Sequence, residues 1–138
     1  MVQRIRDVMT ADPVVLASSD SIEVAARHMK ERDIGDVLVS DGGRLCGLVT
    51  DRDIVIRGLA EGRGSSARLG EICSRELVTL SPDEPIATAV SLMREWAVRR
   101  IPIIEGDRPV GIVSIGDLAV ERDENSALAD ISAAPPNR

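Results

Sequence analysis

Two short stretches concentrate the groups best suited to hold a ligand. Gly47-Leu48-Val49-Thr50-Asp51-Arg52-Asp53-Ile54 and Gly111-Ile112-Val113-Ser114-Ile115-Gly116-Asp117-Leu118 share one pattern: glycine, two aliphatics, a hydroxyl, and an aspartate three residues later. The aliphatics predict a strand, and the hydroxyl marks the start of a helix. At such a junction the free N–H groups and the helix dipole suit an anion such as phosphate. The hydroxyl can donate to that anion, and the aspartate can accept two hydrogen bonds from a diol. The same spacing also builds a capping box, which satisfies the first helical N–H groups and contributes about 0.5–2 kcal/mol with no ligand at all. The two roles are compatible, and both readings stand.

Little else in the chain offers chemistry. His28 is the only histidine, so acid–base machinery is scarce and a zinc site has no paired imidazole. Cys46 and Cys73 lie far apart without a CxxC pattern and read as reduced, structural thiols. No catalytic triad or nucleophile–base pattern is present, so the chain is read as no enzyme and as having no required cofactor.

The two boxes are related by an internal repeat. At an offset of 64, the spacing of Gly47 from Gly111, the first half falls on the second without a gap. Val14 then meets Val78, Ile22 meets Ile86, Ala25 meets Ala89, Met29 meets Met93 and Asp53 meets Asp117. Each unit opens with a short helical lead-in (Ile5 to Met9; Leu69 to Cys73) and a brief apolar strand, Val14 to Leu16 or Leu77 to Leu80. Ser19-Asp20 and Ser81-Pro82-Asp83-Glu84 predict helix starts. The helices place Ile22, Ala25 and Met29, or Ile86, Ala89 and Met93, on one face. Two strands follow around the turns Asp41-Gly42-Gly43-Arg44 and Glu105-Gly106-Asp107-Arg108. A last helix opens near Asp51 and near Ile115.

The fold class is therefore α+β, with the order β-α-β-β-α twice. The expected divisions are repeat 1 over 5–61, a flexible linker over 62–68, repeat 2 over 69–124 and a loosely ordered tail over 125–138.

Composition narrows the function. A net charge of −6 opposes nucleic-acid binding, since phosphate backbones attract basic surfaces. Without Phe or Tyr, and with Trp96 the lone aromatic, there is no platform for stacking bases. No run approaches the ~20 apolar residues of a transmembrane helix, and Met1 to Asp7 lead into no secretory signal. The expected setting is the cytoplasm, away from membranes. Trp96 stands where the first copy has Arg32 and reads either as core filling or as a contact with another chain.

The repeated β-α-β-β-α order, with lead-ins Arg6-Asp7-Val8-Met9-Thr10 and Gly70-Glu71-Ile72-Cys73-Ser74, the segment Arg99 to Ile103 and the two boxes, resembles a pair of CBS domains (a Bateman module). It is similar to small stand-alone bacterial CBS-pair proteins, of which the actinobacterial hypoxic response proteins are one kind. The resemblance implies two repeats packed sheet to sheet about a pseudo-twofold axis, a homodimer, and two clefts that take adenosine derivatives: AMP, ADP, ATP or S-adenosylmethionine. It gives the hydroxyl and ribose-binding roles to Thr50 and Asp53 in one cleft and to Ser114 and Asp117 in the other. Val14 and Val78 would flank the adenine. Arg99 and Arg100 stand where basic residues reach phosphate, or else merely begin a solvated strand. The first repeat has Gly35 and Asp36 instead, and Asp51 adds another acid to its box. The implied function is regulatory sensing; the alternative is an interaction module with empty clefts. The downstream protein partner is unspecified by the sequence.

Each repeat is near the lower size limit for a stable core, and its sheet has an apolar face that needs a cover. Residues 1–63 expressed alone should therefore aggregate or self-associate. Size-exclusion chromatography with circular dichroism checks this, and a well-folded monomer would contradict it.

Overall fold

The computed structural model describes residues 3–122. The tail expected from 125 lies outside the described residues. The chain divides into two compact units, and the division does not follow the repeat boundaries. Residues 13–77 form one unit, while those before Pro13 join those from Val78 onward in the other.

In chain order the elements begin with α1 (Ile5–Val8), β1 (Thr10–Ala11), β2 (Val15–Ala17), α2 (Ile22–Arg32), β3 (Asp36–Asp41) and β4 (Arg44–Thr50). They continue with α3 (Asp51–Asp53), a π-helical turn (Ile54–Gly58), a 3-10 turn (Leu59–Glu61) and α4 (Leu69–Ile72). The second copy supplies α5 (Ile86–Trp96), β5 (Arg100–Glu105), β6 (Arg108–Ser114) and α6 (Ile115–Arg122).

The unit of residues 13–77 has a sheet in the order β2-β3-β4, with β2 parallel and β4 antiparallel to β3. The other unit has the order β1-β6-β5, and a parallel bridge from Leu80 to Ile103 stands where β2 stands in its counterpart. The hairpins form as their turn residues require. Gly42 and Gly43 both adopt positive φ, which matches the right-handed twist of the flanking strands.

The lead-in segments explain the division. α4 and Ser74 belong to the unit built on the first repeat, where Ser74 bridges Leu48. α1 and β1 belong to the unit built on the second, where Thr10 pairs with Ile112. These are the same contact, displaced by one repeat. Leu69 and Ile72 enter a core made of Val14, Ile22, Ala25, Met29, Val37, Val39, Val49 and Cys73. Ile5 enters the core of Leu80, Ile86, Ala89, Met93, Ile101, Ile103, Val113 and Leu118.

The lead-ins also close the helix ends. The N–H of Ile22 donates to the Ala67 carbonyl at 2.8 Å, and that of Ile86 donates to Gln3 at 3.2 Å. This changes the expected capping. Ser21, not Ser19 or Asp20, is the N-cap of α2, and Pro85 precedes α5 without a side-chain cap. Asp20 and Glu84 instead accept from the backbone N–H of Ala17 and Ser81, tightening the turn before each helix.

Two further expectations change. The last helix is regular in the second copy, whereas in the first it passes into π and 3-10 turns at Gly58, which packs against Ile22. Trp96 is 58 % exposed, so it fills no core, while Met29 and Met93 are buried.

The box glycines take their meaning from the same crossing. A Cβ on Gly47 would lie 2.9 Å from Cys73 Cβ, and one on Gly111 would lie 2.9 Å from the Thr10 carbonyl oxygen. Both are closer than side-chain packing allows, so the lead-in could not cross either strand. Gly47→Ala and Gly111→Ala should each destabilise the protein by about 1–3 kcal/mol, the usual scale of overpacking. Thermal and urea unfolding read this directly; unchanged midpoints would show that the crossing is not tight.

Candidate ligand-binding site

Each box lies at the end of a hairpin strand, where β4 gives way to α3 and β6 gives way to α6. The strand is extended up to Thr50, whose φ of −107° and ψ of 165° are those of an N-cap residue. The reciprocal cap is complete in both copies. Thr50 N–H donates to Asp53 Oδ2 at 2.9 Å, and Asp53 N–H donates to Thr50 Oγ1 at 3.1 Å. The corresponding distances for Ser114 and Asp117 are 2.8 and 3.2 Å.

This arrangement leaves chemistry unspent. Each hydroxyl oxygen accepts the aspartate N–H and keeps its own proton to donate. Each aspartate uses Oδ2 for the cap and has Oδ1 for another donor. All four residues are half-buried, open enough to meet a solute and shielded enough to strengthen a charge-assisted bond.

The surroundings of the two boxes differ in charge. In the antiparallel register Asp36 lies directly opposite Thr50, while Arg100 lies directly opposite Ser114. Asp51 follows Thr50, where Ile115 follows Ser114. Arg57 Nε stands 3.8 Å from Asp53 Oδ1, and the position equivalent to Arg57 in the second copy is Glu121. The sequence reading missed the role of Arg57, although the Asp–Arg spacing of four on one helical face is a readable signal.

The remaining candidates separate. Arg99 and Arg100 were paired in sequence, but Arg99 lines a groove with α5 and α6, and its carbonyl accepts from Ile115 N–H at 2.9 Å. Arg100 begins β5. Val14 is committed to the core at 7 % exposure, so Val15, at 39 %, is the exposed aliphatic of that strand. Val78 is half-buried. Cys73 is buried and Cys46 partly so; burial, the largest influence, pushes the Cys73 thiol up and makes it a poor nucleophile.

Among the described residues, no group of three or more His, Cys, Asp or Glu is placed to hold a metal ion. No described helix is long and apolar enough to cross a membrane.

Comparison with known proteins identifies the family and the fold. The chain is 38% identical over 132 residues to the CBS domain-containing protein YhcV of Bacillus subtilis, covering 93% of this chain and 94% of that protein. Its fold is similar to the crystal structure of Hypoxic Response Protein I with two coordinated zinc ions, at a TM-score of 0.75 and 36% identity, covering 85% of this chain and 97% of that one. It is also similar to the CBS domain pair of protein MJ0100 in complex with 5-methylthioadenosine and S-adenosyl-L-methionine, at a TM-score of 0.81 and 25% identity, covering 91% and 100% of the two chains. The CBS domain itself is matched over residues 5–59 and again over 69–123, and the chain belongs to that family as a tandem CBS pair.

Proposed function

We propose that this CBS pair is a regulatory sensor that takes up an adenosine derivative in the second repeat, with its anionic end held by Ser114 and Arg100 and its ribose by Asp117. The observation that carries the reading is the exchange of cross-strand partners, Arg100 opposite Ser114 but Asp36 opposite Thr50. The ligand complex of the MJ0100 pair supports the ligand class.

The chemistry follows from the cap. The Ser114 hydroxyl donates to a phosphate oxygen while continuing to accept from Asp117 N–H. The N-terminus of α6 adds its dipole, and Arg100 supplies a full positive charge from the neighbouring strand. For S-adenosylmethionine, the carboxylate takes the place of phosphate. Asp117 Oδ1 accepts from a ribose diol, and Val78 is the aliphatic offered to the base. At Thr50 the same groups exist, but Asp36 and Asp51 oppose an anion, and Arg57 occupies the side of Asp53 that a ribose would use.

The second reading, an interaction module that works without ligand, is favoured by the completeness of both caps, each closed by its own hydrogen bonds. Native mass spectrometry of the freshly purified protein and thermal shift with AMP, ADP, ATP and S-adenosylmethionine separate the two. If no ligand shifts the melting temperature, the interaction module stands.

Where a ligand binds, Asp117→Ala should weaken it about ten- to a hundredfold, the loss of a charge-assisted hydrogen bond worth about 1.5–3 kcal/mol. Asp53→Ala should do less. Titration calorimetry on both variants, each first checked for an intact fold, decides the point; equal losses, or a larger loss at Asp53, would refute the choice of box.

A further inference from the structure

The two thiols of the chain, distant in sequence, meet inside the unit of residues 13–77. Cys46 lies on β4, and Cys73 closes α4 in the lead-in that crosses that strand. Ser74 and Leu48 exchange backbone hydrogen bonds of 2.9 and 3.1 Å, which fix the lead-in against the strand. A Cβ on Gly47 would lie 2.6 Å from Cys73 Sγ, so the sulfur fills the space that the glycine leaves open. Cys46 is the next residue along. In a regular strand it would turn to the face opposite Gly47. The strand is irregular here: Gly47 pairs with Val39 but Leu45 pairs with Ser40, so Cys46 is the extra residue of a bulge. A bulge re-aims its side chain, and Cys46 packs against the same core that holds Cys73. The two thiols feel each other, since Cys46 adds to the rise that burial, the largest influence, imposes on Cys73.

The second-repeat unit shows what packing alone requires at this contact. There Met9 stands at the position of Cys73 and Val110 at that of Cys46, and both pack against the equivalent core. Met9 Sδ sits 2.6 Å from where a Gly111 Cβ would be, the same fit as Cys73 Sγ at Gly47. A valine and a methionine therefore suffice to close the crossing. The first copy has a thiol at both ends of the same contact.

We propose that Cys46 and Cys73 form an oxidisable dithiol that locks the lead-in onto β4 when a peroxide is present. Cys46 is partly exposed and Cys73 is 7 % exposed, so the oxidant reaches Cys46 first. The Cys46 thiolate attacks one peroxide oxygen; an S–O bond forms, the O–O bond breaks, and hydroxide leaves with a proton as water. Cys73 Sγ then attacks the sulfur of this sulfenic acid. An S–S bond forms, the S–O bond breaks, and the departing hydroxide takes the Cys73 proton as a second water. Two thiols have lost two electrons and one peroxide has gained them. Cys73 is a weak nucleophile in free solution, but a reactant held in place needs far less intrinsic reactivity. A reducing thiol reverses the bond by exchange. The lock sits four residues before Thr50, and no nucleotide is needed for it to close.

The full chain, reduced and then treated with hydrogen peroxide without nucleotide, should lose the mass of two hydrogens by intact mass spectrometry. Peptide mapping under non-reducing conditions should join the Cys46 and Cys73 peptides within one chain. The oxidised protein should melt about 5 °C or more higher than the reduced protein, and dithiothreitol should return it to the starting value. Cys46→Val and Cys73→Met carry the residues of the other copy; circular dichroism should show both folded, and peroxide should raise the melting temperature of neither. Two thiols that stay free, a sulfinic acid on Cys46 without the cross-link, or bonds chiefly between chains would each overturn the proposal. A cross-link that leaves the melting temperature unchanged would overturn the lock.

Discussion

Ile5 and Leu69 hold equivalent places, are wholly buried, and each completes a core drawn mainly from the far side of a repeat boundary. Losing such a side chain from a packed core costs about 2–5 kcal/mol, a large part of the total stability of about 5–15 kcal/mol typical of a domain. The rest of the architecture follows from housing these two residues. The lead-in must cross the last hairpin strand, and the strand must carry glycine there. The backbone carbonyls of Gln3 and Ala67 then lie within reach of the first turns of α5 and α2. Duplication thus produced two units that each need a piece of chain from the other's side of the sequence.

The candidate boxes show how a structural device and a binding device can be one object. A cap consumes one carboxylate oxygen and the lone pair of one hydroxyl. It leaves the other oxygen and the hydroxyl proton, and it holds both in fixed directions before any ligand arrives. Fixed donors and acceptors bind more tightly than mobile ones because less freedom is lost on binding. What distinguishes one copy from the other is charge: Asp36, Asp51 and Arg57 around the first box, Arg100 and Ile115 around the second. After duplication, the two copies kept the hydrogen bonds and diverged in the field around them.

The same divergence appears on the outer helices. Equivalent positions hold Asp51 and Ile115, or Arg32 and Trp96. The helix at Gly58 departs from regular geometry, where its counterpart α6 continues to Arg122. A repeat whose cores share most of their positions has therefore acquired two unlike surfaces. Buried positions are constrained by volume and contact, and exposed positions only by solubility and partners.

Much was legible in the amino-acid order alone. The offset of 64 exposed the duplication, and periodicities of two and 3.6 located the strands and helices. The Asp41-Gly42-Gly43-Arg44 turn marked a hairpin because positive φ is cheap only for such residues. The spacing of Thr50 to Asp53 and of Ser114 to Asp117 identified the caps, since a local hydrogen-bonded motif is written in adjacent residues. The sequence could not say which core Ile5 or Leu69 would enter, because both cores are equally apolar and the choice depends on the path of the chain. Nor could it show that Arg99 and Arg100 part company, that Val14 is spent on the core, or that Asp36 and Arg100 face the two hydroxyls. Those facts depend on strand register and on which face a side chain takes, and both are decided only when distant segments pair.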